Sequence, residues 1–190
     1  MITIIITACR EPKTITKAIL RVADNKLPNS EILVVAPDKE TLNEANKIKT
    51  RVKNLRIIKD SGEGKPQALN LAVSKSKGGI IVFTDGDVFV GKNAIRCLIS
   101  HFKNKKVGAV TGKPVSINPK ENKYGYWAYL LTTIAHLRRK KAMLKGKRFF
   151  CSGYLFAIRK ELFPQLPSEL LSEDGYISHF VYTKGYEIAY

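Results

Sequence analysis

Residues 78–88 read GGIIVFTDGDV, from Gly78 to Val88. An unbroken apolar run, β-branched at Ile80, Ile81, Val82 and Thr84 and preceded by glycines, is the pattern of a strand buried on both faces. In an open α/β sheet, ligands sit beyond the carboxyl ends of such strands. This strand therefore delivers Asp85 and Asp87 to the edge where chemistry is done. If the backbone stays extended there, side chains two residues apart point the same way, and Gly86 leaves the space between them empty. Two convergent carboxylates make a hard-oxygen site for Mn²⁺ or Mg²⁺, completed by water and by substrate phosphates. The plainer reading is an acidic turn closing a strand, so the rest of the chain has to decide.

Upstream, Ile2 to Ala8 reads as a strand and Cys9-Arg10-Glu11 as the turn at its end. Pro12 suits a first helical position, and Ile15, Ala18, Ile19 and Val22 mark the apolar face of a helix running to about Asn25. A strand at 31–36, a helix at about 40–49 and a short strand at 55–58 follow. The turn-rich loop Asp60 to Gly64 then leads to a helix opened by Pro66. Downstream of the DGD strand come a helix at about 92–102 and a strand at 107–111. Strands alternating with helices predict an α/β, Rossmann-like fold: a mostly parallel central sheet with helices on both faces.

Beyond Pro119 the pattern changes. Tyr124, Trp127, Leu131 and Ile134 recur at helical spacing, which core packing explains most simply. The end of that helix is strongly basic, with Arg138, Arg139, Lys140 and Lys141 followed by Lys145, Lys147 and Arg148; a solvated face and a phosphate-facing or membrane-surface role both fit. Phe149 to Ile158 reads as two strand-like pieces broken at Ser152-Gly153. Ser172 is an N-cap candidate for a helix carrying Glu173 and Asp174 in its first turn, where acids also suit the helix dipole. A last strand is expected over 186–190.

A chain of 190 residues suits one domain, 1–190, with its first half ending near 115 and the second covering 116–190. The net charge of +17 favours anionic partners without choosing among nucleic acid, lipid head groups and phosphorylated small molecules. Three widely spaced cysteines with no CxxC pair indicate neither a disulfide framework nor zinc, and a reducing compartment fits them; Cys97 reads as core. His101, His136 and His179 carry no recognisable role. No apolar run is long enough to span a membrane.

Six segments in sequence order resemble the family 2 glycosyltransferases of GT-A fold: ITACRE, VVAPD, GEGKPQALN, TDGDV, CSGYLFAIR and LSEDGYISHFVYTKGY. They span essentially the whole chain. The resemblance implies a nucleotide-diphospho-sugar donor (UDP- or GDP-sugar), a Mn²⁺ or Mg²⁺ cofactor held by Asp85 and Asp87, and inverting transfer to an acceptor. By the same resemblance, Thr7, Ala8, Arg10 and Glu11 with Asp38 cradle the nucleobase, Asp85 contacts metal or ribose, and Gly153 lines the sugar pocket. Lys65, at a glycine-preceded helix start, meets phosphate. Glu173-Asp174 matches the acidic pair whose Asp is the general base. The family often has Pro-x-Tyr-Asn-Glu and Asp-Asp-Gly-Ser where this chain has Thr-Ala-Cys-Arg-Glu and Ala-Pro-Asp, so the resemblance leaves the base open.

The acceptor is expected to be a glycan or lipid-linked hydroxyl; a polyprenyl phosphate, already ionised, would need no base. Relatives commonly continue into an acceptor-binding segment or membrane helices, so either a catalytic core of a longer protein or a short form that borrows a partner is expected, cytoplasmic and peripheral at the cytoplasmic face of an anionic membrane. A nucleic-acid-binding module is the competing class, but no recognition-helix, RRM or KH signature supports it, and no nucleic-acid partner is expected.

Overall fold

The structure, a computed structural model, describes residues 1–190. Seven strands, β1 (Ile2–Thr7), β2 (Ser30–Ala36), β3 (Leu55–Lys59), β4 (Ile80–Asp85), β5 (Val107–Thr111), β6 (Leu155–Arg159) and β7 (Glu187–Ala189), form one sheet in the order β3-β2-β1-β4-β6-β5-β7. The first four pair in parallel; β6 runs antiparallel to both β4 and β5, and β7 pairs parallel with β5. The expected mostly parallel α/β sheet is thus observed. Helices α1 (Ile15–Ala23), α2 (Lys39–Lys47) and α4 (Ala94–Ser100) cover one face, packing Ile15, Ile19, Leu42, Ile95 and Leu98 into one core layer. On the other face, α3 (Lys65–Lys75) and α6 (Glu173–Thr183) bury Leu69, Ala72, Ile177 and Val181 against the second.

Strand order reverses between β1 and β4, because β2 and β3 lie on one side of β1 and β4 on the other. Register across that junction sets Thr7 opposite Asp85 at the carboxyl ends. It is pinned at the opposite ends by a buried network. The Gly78 N–H donates to Thr3 Oγ1 (2.8 Å), and that hydroxyl donates to Glu31 Oε1 (2.8 Å), which also accepts from Lys77 N–H. Gly78 has to be glycine, since a Cβ there would lie 2.5 Å from the Thr3 amide nitrogen; at Gly79 a Cβ would meet nothing.

Several expectations are corrected. Pro12 lies in a turn, where the Glu11 carbonyl accepts from Thr14 and Ile15 N–H before the helix proper begins at Ile15. Only one piece of Phe149 to Ile158 is strand; the Cys151 and Ser152 amides instead donate to Ser178 Oγ and Thr111 Oγ1, so the first piece has no free edge to pair. Cys97 is exposed, because Ile95 and Leu98 occupy the buried face of α4. Most consequential is α5 (Lys123–Leu144), where only Gly125 is buried. Its Tyr124 and Leu131 are 82% and 64% exposed, and Trp127 and Ile134 are also exposed, so this stripe is not core.

Gly78→Ala is expected to lower stability by about 2 kcal/mol, as an overpacked site with no flexible neighbour does, whereas Gly79→Ala stays within about 0.5 kcal/mol. Urea denaturation of the two variants checks this; equal midpoints would contradict the close approach of Gly78 to Thr3.

Candidate active site

The carboxyl ends of β1 and β4, the loop after β3 and the start of α3 surround a cleft of about 330 Å³. Its walls include Thr7, Ala8, Glu11, Lys65, Asp85 and Asp87. Asp85 is the last residue of β4; Gly86 and Asp87 already turn, so the extended geometry expected for the two carboxylates is replaced by a turn that leaves Asp87 exposed. Nor is the space at Gly86 empty. A Cβ there would collide with the Glu11 carboxylate and approach Ala8 Cβ at 2.7 Å. Gly86 is small because the turn after β1 packs onto it, and that packing brings a third carboxylate to the aspartates.

Lys65 ties the cleft together. Its Nζ lies 2.7 Å from Asp85 Oδ1 and 3.1 Å from Glu173 Oε1, joining β4 to the first turn of α6 across nearly 90 residues of sequence. Thr7 Oγ1 donates to the same Asp85 oxygen at 3.1 Å. Burial pulls the Lys65 ammonium toward neutrality, but Asp85 and Glu173 outweigh it and hold the group above its ordinary value. Asp85 is pushed up, first by burial and then by Asp87, against the counter-pull of Lys65 and Thr7. Glu11 is raised to about 7 by burial first and then by repulsion from Asp87 and Asp85. Its Oε2 is buried with no hydrogen-bond partner.

Asp174 is held differently. Its Oδ2 accepts from Gly153 N–H (2.9 Å), and its Oδ1 accepts from Gly175 N–H (2.8 Å) and Ser172 Oγ (2.9 Å). The Ser172 hydroxyl therefore serves the Asp174 carboxylate instead of capping the helix as its position predicts. Arg10 and Asp38 stand outside the cleft wall. Arg10, at φ 58°, donates its N–H to Asp38 Oδ2, and Asp38 Oδ1 caps α2 through Thr41 N–H. Burial would raise the Asp38 carboxyl, but those donors hold it below its ordinary value. Both its oxygens thus hold the turn after β1 against α2.

Two wall elements escaped the sequence reading: Tyr154, and the Asp60–Gly62 loop, whose Asp60 Oδ1 accepts from Gly62 N–H. The loop was recognisable as a turn, but nothing in its residues announced the cleft. No group of three or more His, Cys, Asp or Glu side chains forms an all-protein metal cage. The donors at hand, Asp85 and Asp87 beside the orphaned Glu11 oxygen, suit a hard cation shared with substrate phosphates, which needs one or two carboxylates.

Comparison with known proteins agrees with this fold. A family model described as glycosyl transferase family 2 matches residues 3–166. An O-antigen chain rhamnosyltransferase, WbaN of Salmonella anatum, is 25% identical over 172 residues, covering 83% of this chain and 53% of its own. The chain thus spans about half the length of that curated relative. A crystal structure of S. aureus TarS 1–349 superposes with a TM-score of 0.69 at 17% identity, covering 95% of this chain and 55% of TarS. TarS 1–349 in complex with UDP gives 0.65 at 18% identity, over 99% and 57% of the two chains. At such identity these likenesses speak for the fold.

Because the Glu11 carboxyl is raised in the folded state, its contribution to stability is fully present below the unfolded value near 4.5 and is lost as pH rises through about 7. In chelator-containing buffer Glu11→Gln should therefore become more stable than the parent by ~1–2 kcal/mol as pH rises across that window. Thermal melts at pH 4.5 and 7.5 read the difference, and a gap that does not widen would refute the shift.

Proposed function

Since the chain belongs to glycosyl transferase family 2, we propose that it transfers a sugar from a nucleotide diphospho-sugar to an acceptor hydroxyl with inversion at the anomeric carbon, using Mn²⁺ or Mg²⁺. The observation that supports this reading is the Lys65 bridge, which ties Asp85 at the end of β4 to Glu173 in the first turn of α6 beside the strand-order reversal. Asp85 and Asp87 would hold the cation, with Glu11 close by. When bound, that cation supplies neutralisation of the charge developing on the leaving diphosphate.

The chain's own groups do the rest. Lys65 sits in the first turn of α3, where an ammonium and free backbone N–H groups face an anion together. Gly64, at φ 96°, carries the backbone into that start in a conformation that suits glycine. Asp174 is the proposed general base, oriented by the Gly153 and Gly175 amides and the Ser172 hydroxyl. It takes the acceptor's O–H proton while that oxygen forms its bond to the anomeric carbon. The opposite C–O bond breaks, and its electron pair leaves with the nucleoside diphosphate. Glu173 keeps Lys65 in place.

Donor and acceptor classes find support in the relatives' names. TarS has been crystallised with UDP and with UDP-GlcNAc, and WbaN is described as a rhamnosyltransferase of O-antigen chains. A UDP-sugar is accordingly the first donor to try and a GDP-sugar the second. Peripheral attachment at the cytoplasmic face of a membrane belongs to the same proposal. It is supported by the exposed Tyr124, Trp127 and Leu131 in the first half of α5 and the basic residues that close the same helix. No helix is long and apolar enough to cross a membrane.

A panel of nucleotide sugars with Mn²⁺ should raise the melting temperature for one base. Asp87→Ala should weaken that binding at least ~10-fold, and Asp174→Asn should leave binding intact while turnover falls ~10²–10⁴-fold. Metal-dependent binding unchanged in Asp87→Ala, or full turnover in Asp174→Asn, would sink the corresponding assignment.

A further inference from the structure

Beside the catalytic cleft runs a second and larger cavity of about 1020 Å³, with Asp87 and Tyr154 in the walls of both. It lies between the α4–β5 side of the sheet and α5. Val88, Val90, Leu98, Val110 and Val115 give it an apolar floor, and α5 supplies the opposite wall. Ala128, Thr132, His136 and Lys140 face it once per turn, followed by Met143, so the groove follows the helix for about 22 Å at 1.5 Å per residue. Such a shape suits a long, thin apolar ligand.

The charge within it is one-sided. Lys113, His136 and Lys140 line the cavity, and Asp87 at the shared wall is its only acid. Neither lysine has a carboxylate partner, and together they hold the His136 imidazole below its ordinary value, behind the larger effect of its burial. Behind His136, whose Nδ1 is 2.7 Å from the Tyr190 hydroxyl, Arg139 donates from Nε to the Phe150 carbonyl while its Nη1 is buried with no partner. Lys113 and Lys140 are exposed, so they stand at the solvent edge of the apolar groove, placed to meet an anion that arrives with the ligand.

We propose that this groove holds the lipid carrier of the acceptor, a prenyl-type chain lying along α5 with its phosphate or diphosphate against Lys113, His136 and Lys140. The proposal rests on the glycosyltransferase reading, since Asp87 and Tyr154 make the groove continuous with the donor cleft. A wholly apolar partner would leave these cations without a counter-charge, and a soluble phosphate would leave the long floor unused. An amphiphile with an anionic head satisfies both. This assigns His136 a binding role that its sequence did not reveal, and gives Lys140 the phosphate-facing role that the basic end of α5 left open.

Calorimetric titration with farnesyl phosphate below its aggregation concentration tests it, alongside farnesol, inorganic phosphate and, with Mn²⁺, UDP. Farnesyl phosphate should bind at least ~10-fold more tightly than farnesol or inorganic phosphate. Lys140→Glu, which reverses the head-group charge, and Ala128→Trp, which fills the groove from an already partly exposed helix face, should each weaken it ~10-fold or more with UDP affinity within about twofold of the parent. If farnesyl phosphate shows no such preference, or both variants bind it as the parent does while UDP still binds, the lipid site is wrong and the catalytic reading stands. If lipid binds as described but no nucleotide does, the catalytic reading fails and takes the acceptor role with it.

Discussion

The Lys65 ammonium is the constraint on which the cleft depends. It stands between carboxylates supplied by the centre of the sheet and by the last helix, 2.7 Å from Asp85 and 3.1 Å from Glu173. Without it, Asp85, Asp87, Glu11 and Glu173 would crowd negative charge into a partly buried space with no counter-ion, the arrangement that drives carboxylates to take up protons. The raised Glu11 indicates how close the cluster already is to that limit. Lys65 comes from the first turn of α3, whose Pro66 and Ala68 begin the packing of that helix beneath the sheet. The same short segment therefore fixes a structural layer and delivers the neutralising charge. Packing and electrostatics are coupled there at one helix start.

Much of this was legible in the residues, for identifiable reasons. An apolar, β-branched run ending in Asp-Gly-Asp identifies both a buried strand and the edge at which it stops, and the structure agrees at β4. Alternating strands and helices fixed the parallel half of the sheet because local periodicity is enough for that. Where reading failed, long-range contacts were decisive. Gly86 was assigned to open space, yet it is the landing point of Glu11, 75 residues earlier. Cys151 and Ser152 look like strand residues, but their amides go to hydroxyls of α6 and β5.

The stripe on α5 exposes a more general limit. Periodicity establishes that Tyr124, Trp127, Leu131 and Ile134 share one side of a helix; it says nothing about whether anything covers that side. Here nothing in the chain does. Helical spacing was read correctly and burial was not, because burial belongs to the whole fold. Two features of the sequence pointed the other way: the prolines at 114 and 119, which interrupt the route from β5 to the helix, and the basic residues that close it. Core helices rarely gather so much unpaired positive charge in their last turns.

The uncovered α5 belongs to a part of the molecule that lies outside the sheet. Everything between β1 and β5 is fixed by two-sided burial of a sheet, which leaves little room for variation without loss of the fold. The segment from Lys113 to Phe150 is freed from that requirement: it contributes no strand, buries almost nothing of α5, and touches the catalytic cleft only through the walls they share at Asp87 and Tyr154. A scaffold that holds the nucleotide side rigidly while a loosely packed helix shapes the neighbouring groove separates two demands on one enzyme. The leaving-group chemistry needs fixed charges within a few ångströms of one another. On the proposed reading, acceptor choice needs only a wall that can be rewritten, and substitutions along Ala128, Thr132, His136 and Lys140 retune it without disturbing a residue of the sheet.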